Sequence, residues 1–108
     1  MPIYQKLVRD RIPEIIERQG LTYSSRKLND EEYMTKLREK LNEEIVEYDN
    51  ATSDREALEE LSDVLEVVYA LAAFHGSTIE SIEASRAKKS EERGGFLERI
   101  LLEEVEDD

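Results

Sequence analysis

Apolar side chains recur along this chain at steps of three and four, the spacing of one helix face. The clearest run is Met34, Leu37, Leu41, Ile45 and Tyr48, which predicts a helix opened by Asp30 and broken at Asp49, Asn50 and Thr52. Ser53 followed by Glu56 reads as the capping box of a further helix that runs to His75 and ends at Gly76. The first half of that helix is amphipathic through Leu58, Leu61 and Leu65. Its second half, VLEVVYALAAF, is apolar nearly all round, which predicts the most buried helix of the fold. Ser77 and Glu80 form another capping box, and Ile79, Ile82 and Ala87 supply the inward positions of a fourth helix that Gly94-Gly95 terminates. Before these, Pro13 to Gln19 reads as a short helix stopped by Gly20. Residues 21–29 carry no helical stripe and read as a strand or extended loop, and residues 96–104 as a closing strand or extended arm. The expectation is a mainly α protein, a small bundle of about four helices with at most one minor two-stranded β element pairing 21–29 with 96–103.

Composition narrows this picture. A chain of 108 residues has room for one core, and residues 1–108 read as a single domain. Cysteine is absent, which removes thiol catalysis, thiolate metal sites and a disulfide scaffold. The formal charge of -12 opposes binding to nucleic acid or an anionic membrane surface. No leader-like or membrane-spanning apolar run is evident, so a cytoplasmic location is expected.

Charge becomes chemistry only through its position on the helices. Glu44 and Glu47 lie on the flank of the apolar face centred near Leu41 and Tyr48, whereas Glu43 points nearly away from it. Glu60 and Asp63 share a flank of the next helix with Val64, Val67 and Leu71. Either acid motif alone reads as a solvated helix face. Two such pairs on consecutive helices, each bordering apolar surface, form a geometry that holds hard cations through oxygen. With no histidine or cysteine nearby, Mg²⁺ or Mn²⁺ suits the donors better than Zn²⁺. Arg86, Lys88, Lys89, Arg93 and Arg99 cluster around Gly94-Gly95, either as a phosphate-binding stretch or as a helix C-terminus. A second basic group, Lys6, Arg9 and Arg11, precedes the first helix.

These motifs resemble those of the all-α nucleoside triphosphate pyrophosphohydrolases, the MazG-like superfamily that also contains phosphoribosyl-ATP pyrophosphohydrolase and dimeric dUTPases. The matching residues are Glu43-Glu44-x-x-Glu47 followed by Glu60-x-x-Asp63. YQKLVRDRIPEII at Tyr4 to Ile16 and KKSEERGGFLERILLEE at Lys88 to Glu104 are similar to the ends of a small house-cleaning branch. The resemblance implies Mg²⁺-dependent cleavage of a nucleoside triphosphate, standard or non-canonical, to monophosphate and pyrophosphate. It places metal carboxylates at Glu44, Glu47, Glu60 and Asp63, with Glu43 a further catalytic member. Phosphate contacts fall near Lys89 and Arg93, with Lys6 and Arg9 as further substrate-binding candidates, and a homodimer or higher homo-oligomer is implied. Two other readings stand beside it: phosphoribosyl-ATP as the substrate, and a non-catalytic acidic helical module that binds a basic partner or divalent ions.

Overall fold

The computed structural model describes residues 4–107, and the described residues form four α-helices: α1 (Ile12–Arg18), α2 (Asp30–Asp49), α3 (Asp54–Phe74) and α4 (Ile79–Arg93). Side-chain caps set the starts of α2, α3 and α4, whereas α1 has none and runs one residue earlier than expected at both ends. Asn29, rather than Asp30, caps α2: Glu32 N donates to Asn29 Oδ1 at 2.9 Å, and Asn29 N donates back to Glu32 Oε1 at 3.4 Å. Ser53 caps α3 by accepting from Glu56 N, while the Glu56 carboxylate turns to the backbone N–H and hydroxyl of Thr52, both at 3.0 Å. Thr78, rather than Ser77, caps α4. Gly94 ends α4 at φ 82, ψ 174, a backbone region essentially reserved for glycine.

α2 and α3 form an antiparallel hairpin across the short 50–53 connection, and the Tyr33 ring meets Phe74 edge-on at 5.9 Å. α4 packs on α3. The contact face of α2 is rotated from the expected one. Leu37 is deeply buried and Glu44 is only 8% exposed, while Ile45 and Tyr48 are each 42% exposed. About 100° per residue puts Leu37 and Glu44 on one line and moves Ile45 off it. α3 departs further from expectation. Leu58, Leu61 and Leu65 do not face inward; they are exposed. The side turned to α2 carries Glu60, Asp63, Val64, Val67 and Phe74, each half-buried or buried. The second half of α3 is apolar on several sides, so it can pack on α2 in this rotation. The acids then turn inward and a leucine stripe is left outside.

The expected burial of α3 is therefore incomplete. Val67 and Ala72 are buried, but Tyr69 stays 46% exposed, because among the described helices only α2 and α4 pack on this one. In α4, Ile79 is half-buried, whereas Ile82 and Ala87 are exposed. The β element is absent among the described residues: 21–29 and 96–103 are irregular. Nothing in the backbone hydrogen bonds joins them, and Arg26 instead ties the first segment to α2 through a forked pair with Glu32. The radius of gyration is 18.6 Å, against roughly 13 Å for a compact chain of this length.

Candidate functional site

The packed face of the α2–α3 hairpin carries its acids at one level. Glu44 comes from α2, and Glu60 and Asp63 come from successive turns of α3. One carboxylate oxygen of each lies within 4.8 Å of the others. Neighbouring oxygens on one Mg²⁺ at about 2.1 Å lie about 3 Å apart, so the three side chains would rotate inward to hold one ion together. The donors are all hard oxygens, as Mg²⁺ or Mn²⁺ requires. The described site thus fits such an ion through Glu44, Glu60 and Asp63.

Crowding of the acids is visible in Glu60. Partial burial pushes its carboxyl above the ordinary 4.5, and the negative charges of Asp63, Glu47 and Glu44 add to the shift, together with a hydrogen bond to Glu44. Glu47 therefore lies within electrostatic reach of the cluster, although it is exposed and outside the three converging oxygens. A raised folded-state value means that this contribution to stability is complete below the unfolded value and is lost as pH rises through the folded one. Glu60→Gln should therefore raise the melting temperature of chelator-treated protein at neutral pH and flatten its decline above the carboxylate range. A lower melting temperature in chelator would contradict the strain assigned to Glu60.

Cations from the N-terminal segment and from α2 meet the acids. Arg9 Nη2 donates to Asp63 Oδ1 at 2.7 Å. Lys6 Nζ lies 3.3 Å from Glu43. Lys40 reaches Glu44 at 3.5 Å and Glu43 at 3.8 Å. Glu43 lies off the contact face, as expected, but the N-terminal segment lies over it, and Tyr4, Lys6, Lys36, Lys40 and Glu43 share one shallow cavity. Lys40 was not among the sequence candidates, although its i,i+3 and i,i+4 spacing to Glu43 and Glu44 was visible there.

Lys89 and Arg93 stand apart from this group. Both are exposed on the last turns of α4 and form no ion pair or side-chain hydrogen bond among the described residues. Gly94 acts as the helix terminator, and both glycines of the pair border open space.

Comparison with known proteins accords with this arrangement. An uncharacterized protein of Mycolicibacterium smegmatis (strain ATCC 700084 / mc(2)155) is 48% identical over 54 residues, which is 50% of this chain and 55% of the relative. The match thus spans about half the length of that curated protein. No solved structure gives a significant match. The family model for phosphoribosyl-ATP pyrophosphohydrolase matches residues 3–90, a span that includes the N-terminal cations, both acid-bearing helices and most of α4. With the acid cluster and its helical frame inside that match, the chain belongs to the phosphoribosyl-ATP pyrophosphohydrolase family, within the MazG-like superfamily.

Proposed function

We propose that the protein is a Mg²⁺-dependent nucleotide pyrophosphohydrolase whose centre is Glu44, Glu60 and Asp63, with Glu47 as an adjoining carboxylate. The observation that carries this reading is the convergence of three carboxylate oxygens from two helices inside a chain of this family. Mg²⁺, or Mn²⁺ in its place, would be held by these residues and supplies charge neutralisation at phosphate oxygens and acidification of water. The chain's own groups do the rest. A carboxylate of the group that is not fully engaged in holding the ion would accept the proton from water. Water oxygen attacks the α-phosphorus, the bond to the bridging oxygen breaks, and pyrophosphate leaves with the electron pair. Lys6, Arg9 and Lys40 border the cluster, where cations stabilise charge on that leaving group. Lys89 and Arg93 serve this purpose only if substrate or a second copy brings them to a site.

The family match favours phosphoribosyl-ATP as substrate over a free nucleoside triphosphate. The terminal segments of the sequence favour the triphosphate. A panel containing phosphoribosyl-ATP and standard and oxidised or deaminated nucleoside triphosphates, read by pyrophosphate release, decides between them. The binding-module reading predicts a different result. A catalytic site gains thermal stability from nucleotide only with Mg²⁺ present, whereas an acidic module responds to Mg²⁺ and ignores nucleotide.

The working form is a homo-oligomer. Supporting this are the open stripe Leu58, Leu61, Leu65 and Tyr69 on α3, and the arm in which Phe96, Leu97, Ile100 and Leu101 are 81–98% exposed. No helix among the described residues is long and apolar enough to cross a membrane, and the formal charge of -12 opposes nucleic acid as a partner.

A further inference from the structure

The N-terminal segment before α1 is irregular, yet it is pinned across the acidic face at three points. Lys36 Nζ donates to Gln5 O at 3.3 Å, Lys6 pairs with Glu43, and Arg9 pairs with Asp63. The last contact joins residues 54 positions apart. It falls on one of the three carboxylates whose oxygens lie within 4.8 Å of one another. Arg9 uses a single nitrogen there, and its side chain is 56% exposed, so the guanidinium can leave without unpacking the core. The same planar group recognises phosphate through two parallel N–H bonds.

We propose that Arg9 is an exchangeable counter-ion, a latch that holds Asp63 while the cluster is metal-free and passes to a polyphosphate when a divalent cation enters. The proposal rests on the metal-site reading above. The cation and the guanidinium compete for one carboxylate, so each weakens the other's hold on Asp63. Once displaced, the guanidinium stands beside a dication and is best satisfied by an anion bridging both. Arg9 then opposes metal alone and favours metal together with polyphosphate. That coupling keeps the cluster from retaining a bare cation tightly and links loading to substrate. Arg11 offers an internal comparison. It lies two residues on, carries the same charge, and pairs with Glu14 at 3.6 Å on α1 instead of with the cluster.

Opposite signs on two ligands test this. Mn²⁺ alone, and then pyrophosphate in saturating Mn²⁺, are titrated calorimetrically into the wild-type chain and into Arg9→Ala, Arg9→Lys and Arg11→Ala. Arg9→Ala should bind Mn²⁺ roughly two- to fivefold more tightly, the scale of releasing one exposed ion pair. It should bind pyrophosphate about tenfold more weakly, the scale of losing a charge-assisted contact. Arg9→Lys should bring Mn²⁺ affinity back to within about twofold of wild type, since the competing charge is retained. Arg11→Ala controls for the general effect of removing a cation from an acidic protein and should change neither by as much. The latch is overturned if Arg9→Ala leaves Mn²⁺ affinity unchanged or weaker, if it matches Arg11→Ala, or if pyrophosphate binding is unaffected. No Mn²⁺ binding by the wild-type chain overturns the metal site itself, and the latch with it. Circular dichroism confirms that each variant keeps its helices; if Arg9→Ala does not fold, Arg9→Gln, which removes the charge and keeps the length, carries the same two expectations.

Discussion

Asp63→Asn should abolish turnover, by on the order of 10²- to 10³-fold or more, the scale of removing one preorganised electrostatic group from an active site. Asparagine keeps the volume and one oxygen of the side chain but removes the charge that three converging carboxylates would share with a cation. Two helices must each contribute to that charge, so Glu44→Gln from α2 should have an effect of similar size. Helicity should survive in both. Asp63 is 40% exposed as a side chain and is not part of the apolar packing. Glu44 is nearly buried, and a neutral amide there relieves charge crowding. Steady-state pyrophosphate release together with far-ultraviolet circular dichroism reads both quantities. Retained turnover in Asp63→Asn and Glu44→Gln, with intact helicity, would remove these residues from the centre.

Leu61→Glu combined with Leu65→Glu should convert an assembled protein to monomers and lower its melting temperature by ten degrees or more. The described residues bury only Leu37, Val67 and Ala72 deeply among apolar side chains, which is a small core for 108 residues. Outside it, Leu58, Leu61, Leu65 and Tyr69 line one face of α3, and the arm beyond Gly94 leaves Phe96 98% and Leu97 95% exposed. An apolar stripe of that kind needs a cover, and each large side chain taken out of water contributes roughly 1.5–3 kcal/mol. In the proposed homo-oligomer a second copy would supply such a surface reciprocally. Light scattering coupled to size exclusion should give a multiple of 12.6 kDa for the wild-type chain and a single chain mass for the double variant. Assembly also makes melting temperature depend on protein concentration, and the variant should lose that dependence. A wild-type chain that is monomeric at micromolar concentration would contradict this.

Much of this arrangement was legible in the sequence, and what was not had a common cause. Helix existence followed from the three-and-four spacing and from glycine at the helix ends. Gly76 and Gly94 both adopt positive φ where α3 and α4 stop. Cap identity was off by one at α2 and α4, because Asn29 and Asp30, or Ser77 and Thr78, are chemically equivalent caps until backbone geometry selects one. Helix rotation was harder. Leu58, Leu61 and Leu65 looked like the inward face because they are the apolar stripe of their half-helix. Packing of Val67 and Phe74 against α2 decided otherwise, and that same rotation turned Glu60 and Asp63 toward Glu44. The acids were found by spacing, but their meeting depends on tertiary packing. The ion pairs from Lys6 and Arg9 span 37 and 54 positions. No local pattern encodes them, so the N-terminal segment's place over the acids emerges only from the fold.

Glu44, Glu60 and Asp63 are proposed to form a divalent-cation centre that splits a nucleotide into monophosphate and pyrophosphate. Pyrophosphate release by the wild-type chain, measured across the nucleotide panel with Mg²⁺ and again with excess chelator, tests it most directly. Pyrophosphate rather than orthophosphate is expected from at least one nucleotide with Mg²⁺, and none in chelator. Release that continues in chelator, or no pyrophosphate from any nucleotide with Mg²⁺ present, would contradict it.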